Sequence, residues 1–196
     1  MKEIDRFVQI KSNNLKPTRG RLLISEPFMG DFFFGRSVVL LTEHNEEGSF
    51  GLILNKPAET TFNQLIKDSP DFHSPIFYGG PVETDSLFYV HTVGNEIEGA
   101  IQVTNKLWWG GDFDILRGKM ELNLIKPNQI RFFMGYSGWG IDQLNSEIKR
   151  NSWLITNIPN VNILTTNPEN LWKNMLTRMG KKYSYWTKFP VDPTAN

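Results

Sequence analysis

The sequence contains no cysteine, which excludes disulfide staples, thiolate nucleophiles and Cys-ligated zinc or iron–sulfur centres. That composition fits a reducing compartment. Long apolar runs are missing too. The longest aliphatic run, Val38-Val39-Leu40-Leu41, falls far short of the ~20 residues that span a bilayer. Residues Met1 to Asn14 carry scattered charges and no apolar stretch, so they do not read as a secretory signal. A cytoplasmic protein without membrane contact is expected. Histidine is scarce: His44, His73 and His91 show no ligand spacing, and no H-E-x-x-H occurs. No metal site and no cofactor are therefore expected, and neither phosphate-loop pattern, G-x-x-x-x-G-K-[ST] or G-x-G-x-x-G, is present.

What the chain does have is enough length and apolar content for a sizeable core. Its 196 residues, 39% hydrophobic and 13% aromatic, describe one globular domain rather than a disordered chain. Net charge is zero but unevenly placed: Met1 to Arg21 carries six bases against two acids, and Lys173 to Lys188 carries five bases and no acid.

Phe132 to Leu154 is the stretch that organises the rest. It reads as a strand over Phe132–Met134, a glycine-rich turn over Gly135–Gly140, and a helix from about Ile141 with Ile141, Leu144 and Ile148 on one apolar stripe. Upstream, Glu3–Lys11 is a short amphipathic helix candidate within an N-terminal extension, residues 1–19. Ser37–His44 and Phe50–Asn55 form a hairpin through Asn45–Ser49, apolar enough for burial on both faces, and Pro57 stops its second strand. One of Phe32, Phe33 and Phe34 is expected to plug the core or line a cleft. Thr61 to Gln64 opens a helix with a capping box, turning Phe62, Leu65 and Ile66 inward.

Further strands are expected at Arg21–Ser25, Ile76–Tyr78, Leu87–Val93, Gly99–Val103 and Trp153–Thr156. Asp112 is a candidate N-cap for a helix through about Gly118. A final helix is capped by Asn167, carries Pro168 in its first turn and closes at Gly180. Hairpins without regular βαβ alternation argue α+β.

Several constellations could carry chemistry. Gly135-Tyr136-Ser137-Gly138 approaches a nucleophile elbow, but Trp139 stands where the final glycine belongs and every histidine lies upstream. Ser137 reads better as a serine bonded to backbone. Three glycine corners, Gly79-Gly80-Pro81, Gly110-Gly111 and Gly135 to Gly140, could together present free N–H groups to a small anion or nucleotide. Tyr78, Trp109, Tyr136 and Trp139 would wall such a pocket. Lys181, Lys182, Tyr185, Trp186 and Lys188 interleave bases with rings, as single-strand-binding surfaces do. The competing account folds Tyr185 or Trp186 of the 181–196 tail onto the body while its lysines stay solvated.

Four ordered motifs then point to a family. Ser37 to Pro57 resembles the S-V-x-x-L-x-E-H-N-x-x-G-x-x-G-L-x-x-N-[KR]-P segment of the AlgH/YqgE family of bacterial proteins. Gly79-Gly80-Pro81-Val82 is similar to its G-G-P-V turn, and Trp109-Gly110-Gly111-Asp112 to its G-G-[DT] corner. Phe133 to Trp153 resembles its F-x-G-Y-[AS]-G-W block, with matching running from about Gly20 to Leu176. The resemblance implies an α+β domain with a bifurcated, mostly antiparallel sheet folded into a pseudo-barrel and helices packed outside. It implies no reaction. Family members are described as transcriptional regulators by genetic association, without a recognised DNA-reading helix or catalytic set.

Matching positions that could line a shared cleft are His44, Asn55, Lys56, Pro57, Gly79, Gly80, Tyr136, Ser137, Gly138 and Trp139. The leading expectation is a non-enzymatic regulatory or adaptor protein, monomeric or weakly dimeric, acting through a protein partner or a small ligand. Its alternatives are an anion- or nucleotide-binding protein, a nucleic-acid binder using the basic ends, and a hydrolase using Ser137.

Overall fold

The computed structural model describes residues 13–158 and 163–190. The expected Glu3–Lys11 helix and residues 191–196 lie outside them. Ten strands form one branched sheet: β1 (Arg21–Ser25), β2 (Val38–Asn45), β3 (Gly48–Ile53), β4 (Pro57–Thr61), β5 (Pro75–Tyr78), β6 (Val82–His91), β7 (Ile101–Thr104), β8 (Leu107–Trp109), β9 (Ile130–Trp139) and β10 (Trp153–Asn157). Helices are α1 (Phe62–Leu65), α2 (Phe113–Glu121), α3 (Gln143–Lys149), α4 (Pro168–Arg178) and α5 (Lys181–Ser184).

The main path runs β10-β1-β2-β3-β9-β6-β8-β7, with β4 and β5 branching from β9. All pairings are antiparallel except β5 with β9. The branch is local. β5 pairs with β9 at Phe132–Met134, and β3 pairs with it at Ser137–Trp139. The expected bifurcated, mostly antiparallel sheet is present, and it stays open rather than closing into a barrel.

Burial on both faces explains the apolar runs. Alternate strand residues point to opposite sides. Leu22, Ile24, Val38 and Leu40 thus join a core with Leu171, Trp172, Met175 and Leu176 of α4. Leu23, Val39 and Leu41 join another with Leu144 of α3, Trp139 and Trp153. A third core gathers Phe62, Phe132 and Tyr89 with Leu116 and Met120 of α2. Caps fall where short polar side chains predict them: Asp112 accepts from Asp114 N and Ile115 N, and Asn167 from Glu169 N.

Several expectations need correction. The Gly135–Gly140 turn does not exist, because β9 continues unbroken to Trp139. A single left-handed residue, Gly135 at φ +68°, absorbs the kink inside the strand instead. The following helix starts at Gln143, and Ile141 is 72% exposed rather than part of an apolar stripe. The capping-box helix is a single turn. Its last residue, Leu65, is exposed because the chain turns extended at Ile66.

The hairpin loop is shorter than expected, with Asn45 paired to Gly48, since the Asn45 side chain accepts from Glu47 N and Gly48 N. The second hairpin strand does end ahead of Asn55-Lys56-Pro57, at Ile53, and Pro57 then starts β4, its missing donor being tolerated at a first strand position. The α2 helix runs past Gly118 to Glu121. In the aromatic loop, Phe34 packs 5.5 Å from Trp153 and 6.1 Å from Trp139, while Phe32 is 66% exposed.

Candidate functional site

The glycine corners converge only in part, and where they do they leave no room. Gly79 N donates to Met134 O at 2.8 Å, and Gly79 O accepts from Ile53 N at 2.9 Å. A Cβ on Gly79 would sit 2.1 Å from Gly135 O, and one on Gly80 2.2 Å from Tyr136 O. This is one backbone laid on another, which only glycine permits. Ser137 is fully buried there and its hydroxyl donates to Gly79 O at 3.0 Å. The third corner lies elsewhere. Gly110 N donates to Tyr89 O, Asp112 N to Glu98 O, and the Tyr89 hydroxyl to Gly111 O at 2.7 Å. Desolvation, reinforced by Asp112, pushes the Tyr89 pKa up to about 12.

Asn55, Lys56 and Pro57 also stand apart from any opening at β9. Asn55 accepts from Val38 N at 2.7 Å and donates to Arg36 O at 3.0 Å. The Lys56 ammonium donates to Gly35 O at 2.8 Å. Burial lowers its pKa, an effect that Asp31 opposes. Together these residues pin the entry into β2.

Two clefts open at the tip of the β2–β3 hairpin. One, of about 400 Å³, lies between the hairpin and the start of α3 and is lined by His44, Ser49, Gly140, Asp142 and Asn145 among others. The other, of about 460 Å³, is lined by Glu43, Glu47, Phe50, Val82, Tyr136 and Gly138, and reaches Trp139 and Gly140. The alternation of β9 divides the sequence candidates: Tyr136 packs at the edge of the α4-side core and Trp139 in the α3-side core. Their rings pack in different cores, although both residues line the second cleft. His44 Nδ1 and Ser49 Oγ are 2.8 Å apart, a cross-strand pair.

Beneath the first cleft a single carboxylate oxygen, Glu147 Oε2, accepts from both the Trp139 indole at 3.0 Å and the Trp153 indole at 2.7 Å. Nothing in the spacing of Trp139, Glu147 and Trp153 announced this shared acceptor. The second cleft has an aromatic wall. Phe50 stacks on Tyr136 at 4.2 Å and 13°, and on Trp109 at 4.8 Å and 27°. Phe50 pairs across from Glu43 on one side and Gly138 on the other. Cross-strand partners share a face, and the bare Gly138 leaves its place for the Tyr136 ring. Glu43 and Phe50 were not among the sequence candidates. Their signal, a charged residue facing an aromatic across a hairpin, emerges only once register is known.

The remaining candidates are dispersed. His73 is exposed, with its Nε2 3.0 Å from Asp71 Oδ1. His91 is fully buried, its Nε2 donating to Gly110 O at 3.2 Å. Among the described residues no group of His, Asp and Glu could hold a metal ion, and no helix is long and apolar enough to cross a membrane. In the tail Trp186 is 2% exposed while Lys181, Lys182 and Lys188 face solvent. Trp186 joins the α4-side core and Arg36 donates to Phe189 O, so the arm folds onto the body, with Lys188 Nζ 5.5 Å over the half-buried Tyr185 ring.

An AlgH-like family model, DUF179, matches residues 22–184. The UPF0301 protein BF2109 of Bacteroides fragilis is 46% identical over 190 residues, covering 96% of both chains. A UPF0301 protein of Bacteroides thetaiotaomicron is 44% identical over 189 residues, again covering 96% of each. Among solved structures, the AlgH protein from Pseudomonas aeruginosa superposes with a TM-score of 0.70 at 27% identity, over 91% of this chain and 98% of that one. Protein DIP2367 from Corynebacterium diphtheriae shares the fold, with a TM-score of 0.73 at 21% identity, over 94% and 97% of the two chains.

Proposed function

The chain belongs to the AlgH-like family, and from that premise we propose that it is a non-enzymatic cytoplasmic binding protein, a regulatory or adaptor component. The observation that carries this reading is the pair of clefts astride the β2–β3 tip, where His44, Tyr136, Gly138 and Trp139 reach open space. A hydrolase using Ser137 would need an accessible hydroxyl and a neighbouring base, and this hydroxyl is buried and donated to a carbonyl. An anion cradle would need unengaged N–H groups, and those of Gly79 and Gly110 are spent on Met134 and Tyr89. A base-stacking tail would need the face of Trp186, which lies against the core.

Gly140 tests the reading because it lines both clefts and has ordinary space at its Cβ, 3.9 Å from Gln143 Oε1. In-cell crosslinking of the wild type and Gly140→Phe should give partner adducts that the variant loses at unchanged melting temperature. Identical adducts from both would overturn the reading. So would a hydrolytic turnover abolished by Ser137→Ala or Ser49→Ala.

A further inference from the structure

We propose that the cleft walled by Phe50 and Tyr136 receives an arginine side chain from a basic segment of a protein partner. The inference rests on the binding-protein reading above and adds the chemistry of what is bound.

The wall is aromatic and its rim is acidic. Phe50 and Tyr136 are half-buried and stacked, and both contribute surface to the 460 Å³ cleft. Glu43 and Glu47 line the same space, and no lysine or arginine does. Among the described residues, the ion pairs of lysine and arginine use Glu121 and Glu96, leaving Glu43 and Glu47 without a cationic partner. Glu46 and Asp142, lining the cleft on the other side of the tip, add to the same field. A cleft with low-dielectric walls and charges of one sign concentrates that field on its occupant.

Those two features select the same ligand chemistry. Ring faces attract cations through their quadrupole, and carboxylates attract them through charge. With Phe50 stacked between Tyr136 and Trp109, the face offered to a cation is that of Tyr136 turned away from Phe50. A phosphate or nucleotide would meet two carboxylates at the rim. A wholly apolar group would strip water from them without compensation. Between the two basic side chains, the planar guanidinium stacks on a ring while its edge donates to carboxylates, which a compact ammonium does less well. The molecule already uses such contacts internally: the Arg131 guanidinium lies 4.2 Å over the Phe77 ring, and that of Arg36 5.1 Å over Trp172. Gly138 shapes the receptor, because without a side chain there the Tyr136 ring lies flat along Phe50.

The test is a titration of the full-length, isotope-labelled protein with a blocked Gly-Arg-Gly-Arg-Gly peptide, followed by amide shifts. The expected result is perturbation of Glu43, Phe50, Tyr136 and Gly138, weakening as salt rises. Replacing both arginines by citrulline should abolish it. The double variant Glu43→Gln/Glu47→Gln, whose sites lie outside the core, should bind about tenfold more weakly at an unchanged melting temperature. Tyr136→Leu should weaken binding by a similar factor while keeping apolar bulk. Shifts confined to other surfaces, or equal affinity in the double variant, would overturn the proposal. A single-stranded oligonucleotide that perturbs this cleft would do so as well. The two levels fail separately: if the peptide leaves the cleft untouched while Gly140→Phe still abolishes crosslinking, only the arginine assignment falls. If Gly140→Phe changes nothing, the binding-protein reading falls, whatever the peptide does.

Discussion

Two glycine-rich places on the same strand behave in opposite ways. At Gly135, β9 lies on Gly79 and Gly80 so closely that a single methyl group on either would enter a backbone atom. At Gly138 and Gly140, near the end of the same strand, the nearest obstacle to a methyl group is a movable side chain. One set of glycines joins the β5 branch to the sheet, and the other keeps a rim open. Glycine in a strand marks close approach of something, and only the fold shows whether that is another backbone or solvent.

The most severe break of this contrast is Gly79→Ala. Its methyl group would sit 2.1 Å from Gly135 O, and neither backbone can yield without losing the Ile53 and Met134 bonds. We expect a stability loss of about 4 kcal/mol or more, in the range reserved for forced backbone displacement. Urea unfolding measures it. A midpoint near that of the wild type would mean that the crossing is not tight.

The open end has its own support, and Glu147→Leu removes it. Two indole donors, Trp139 and Trp153, would be left with no acceptor in a buried setting. Each stranded donor costs about 1–3 kcal/mol, and some rewetting at the surface-facing edge reduces the sum. A loss of about 2–3 kcal/mol, with a red-shifted tryptophan emission, is the expected outcome. A loss well below that would mean that the tip does not depend on this carboxylate.

These two sites also show what the sequence could tell. The last helix was legible because Asn167, Pro168 and Gly180 are local signals, each acting within one turn. The two-sided burial of β2 was legible because an unbroken apolar run has few other uses. The stretch from Gly135 to Gly140 misled for a physical reason: glycine permits both a turn and a tight contact, and the residue that decides, Gly79, lies more than fifty positions away. The site suffered in the same way. His44, Tyr136, Gly138 and Trp139 were recognisable singly, but the pairing of Glu43, Phe50 and Gly138 across three strands depends on register. Lys56 and Asn55 looked like cleft residues and proved to be fasteners for the chain entering β2.

The third corner, at Gly110, sharpens the comparison through pH. His91 is buried with Nε2 bonded to Gly110 O, and its Nδ1 has no partner among the described residues. Burial pushes its pKa below the usual 6.5, with the Gly110 bond opposing in part. In the unfolded chain the ring takes up a proton at the ordinary value, while the folded protein resists it. Stability is therefore present above about pH 6.5 and is lost as pH falls below it, through the window down to the lowered folded value. Urea midpoints of the wild type should fall more steeply between about pH 7.5 and about pH 5.5 than those of His91→Phe. His44 and His73 remain in both proteins and cancel. Parallel profiles would show that His91 takes up its proton without resistance.

The smallest expected effect is at Gly138, and it bears most directly on the proposed site. Its backbone is not left-handed, it faces solvent, and an added methyl group would meet only the edge of the Tyr136 ring at 3.0 Å. Alanine in an extended strand also loses less freedom on folding than glycine does, a gain of about 0.5–1 kcal/mol that offsets the crowding. Gly138→Ala should thus leave the unfolding midpoint nearly unchanged. The ring, however, must swing away from Phe50, so the shielding that Phe50 imposes on the Tyr136 ring protons should diminish. Unchanged ring shifts would mean that the stack does not depend on the bare position. A loss of stability approaching that of Gly79→Ala would erase the distinction between the two ends of β9, because both would then be backbone packed on backbone.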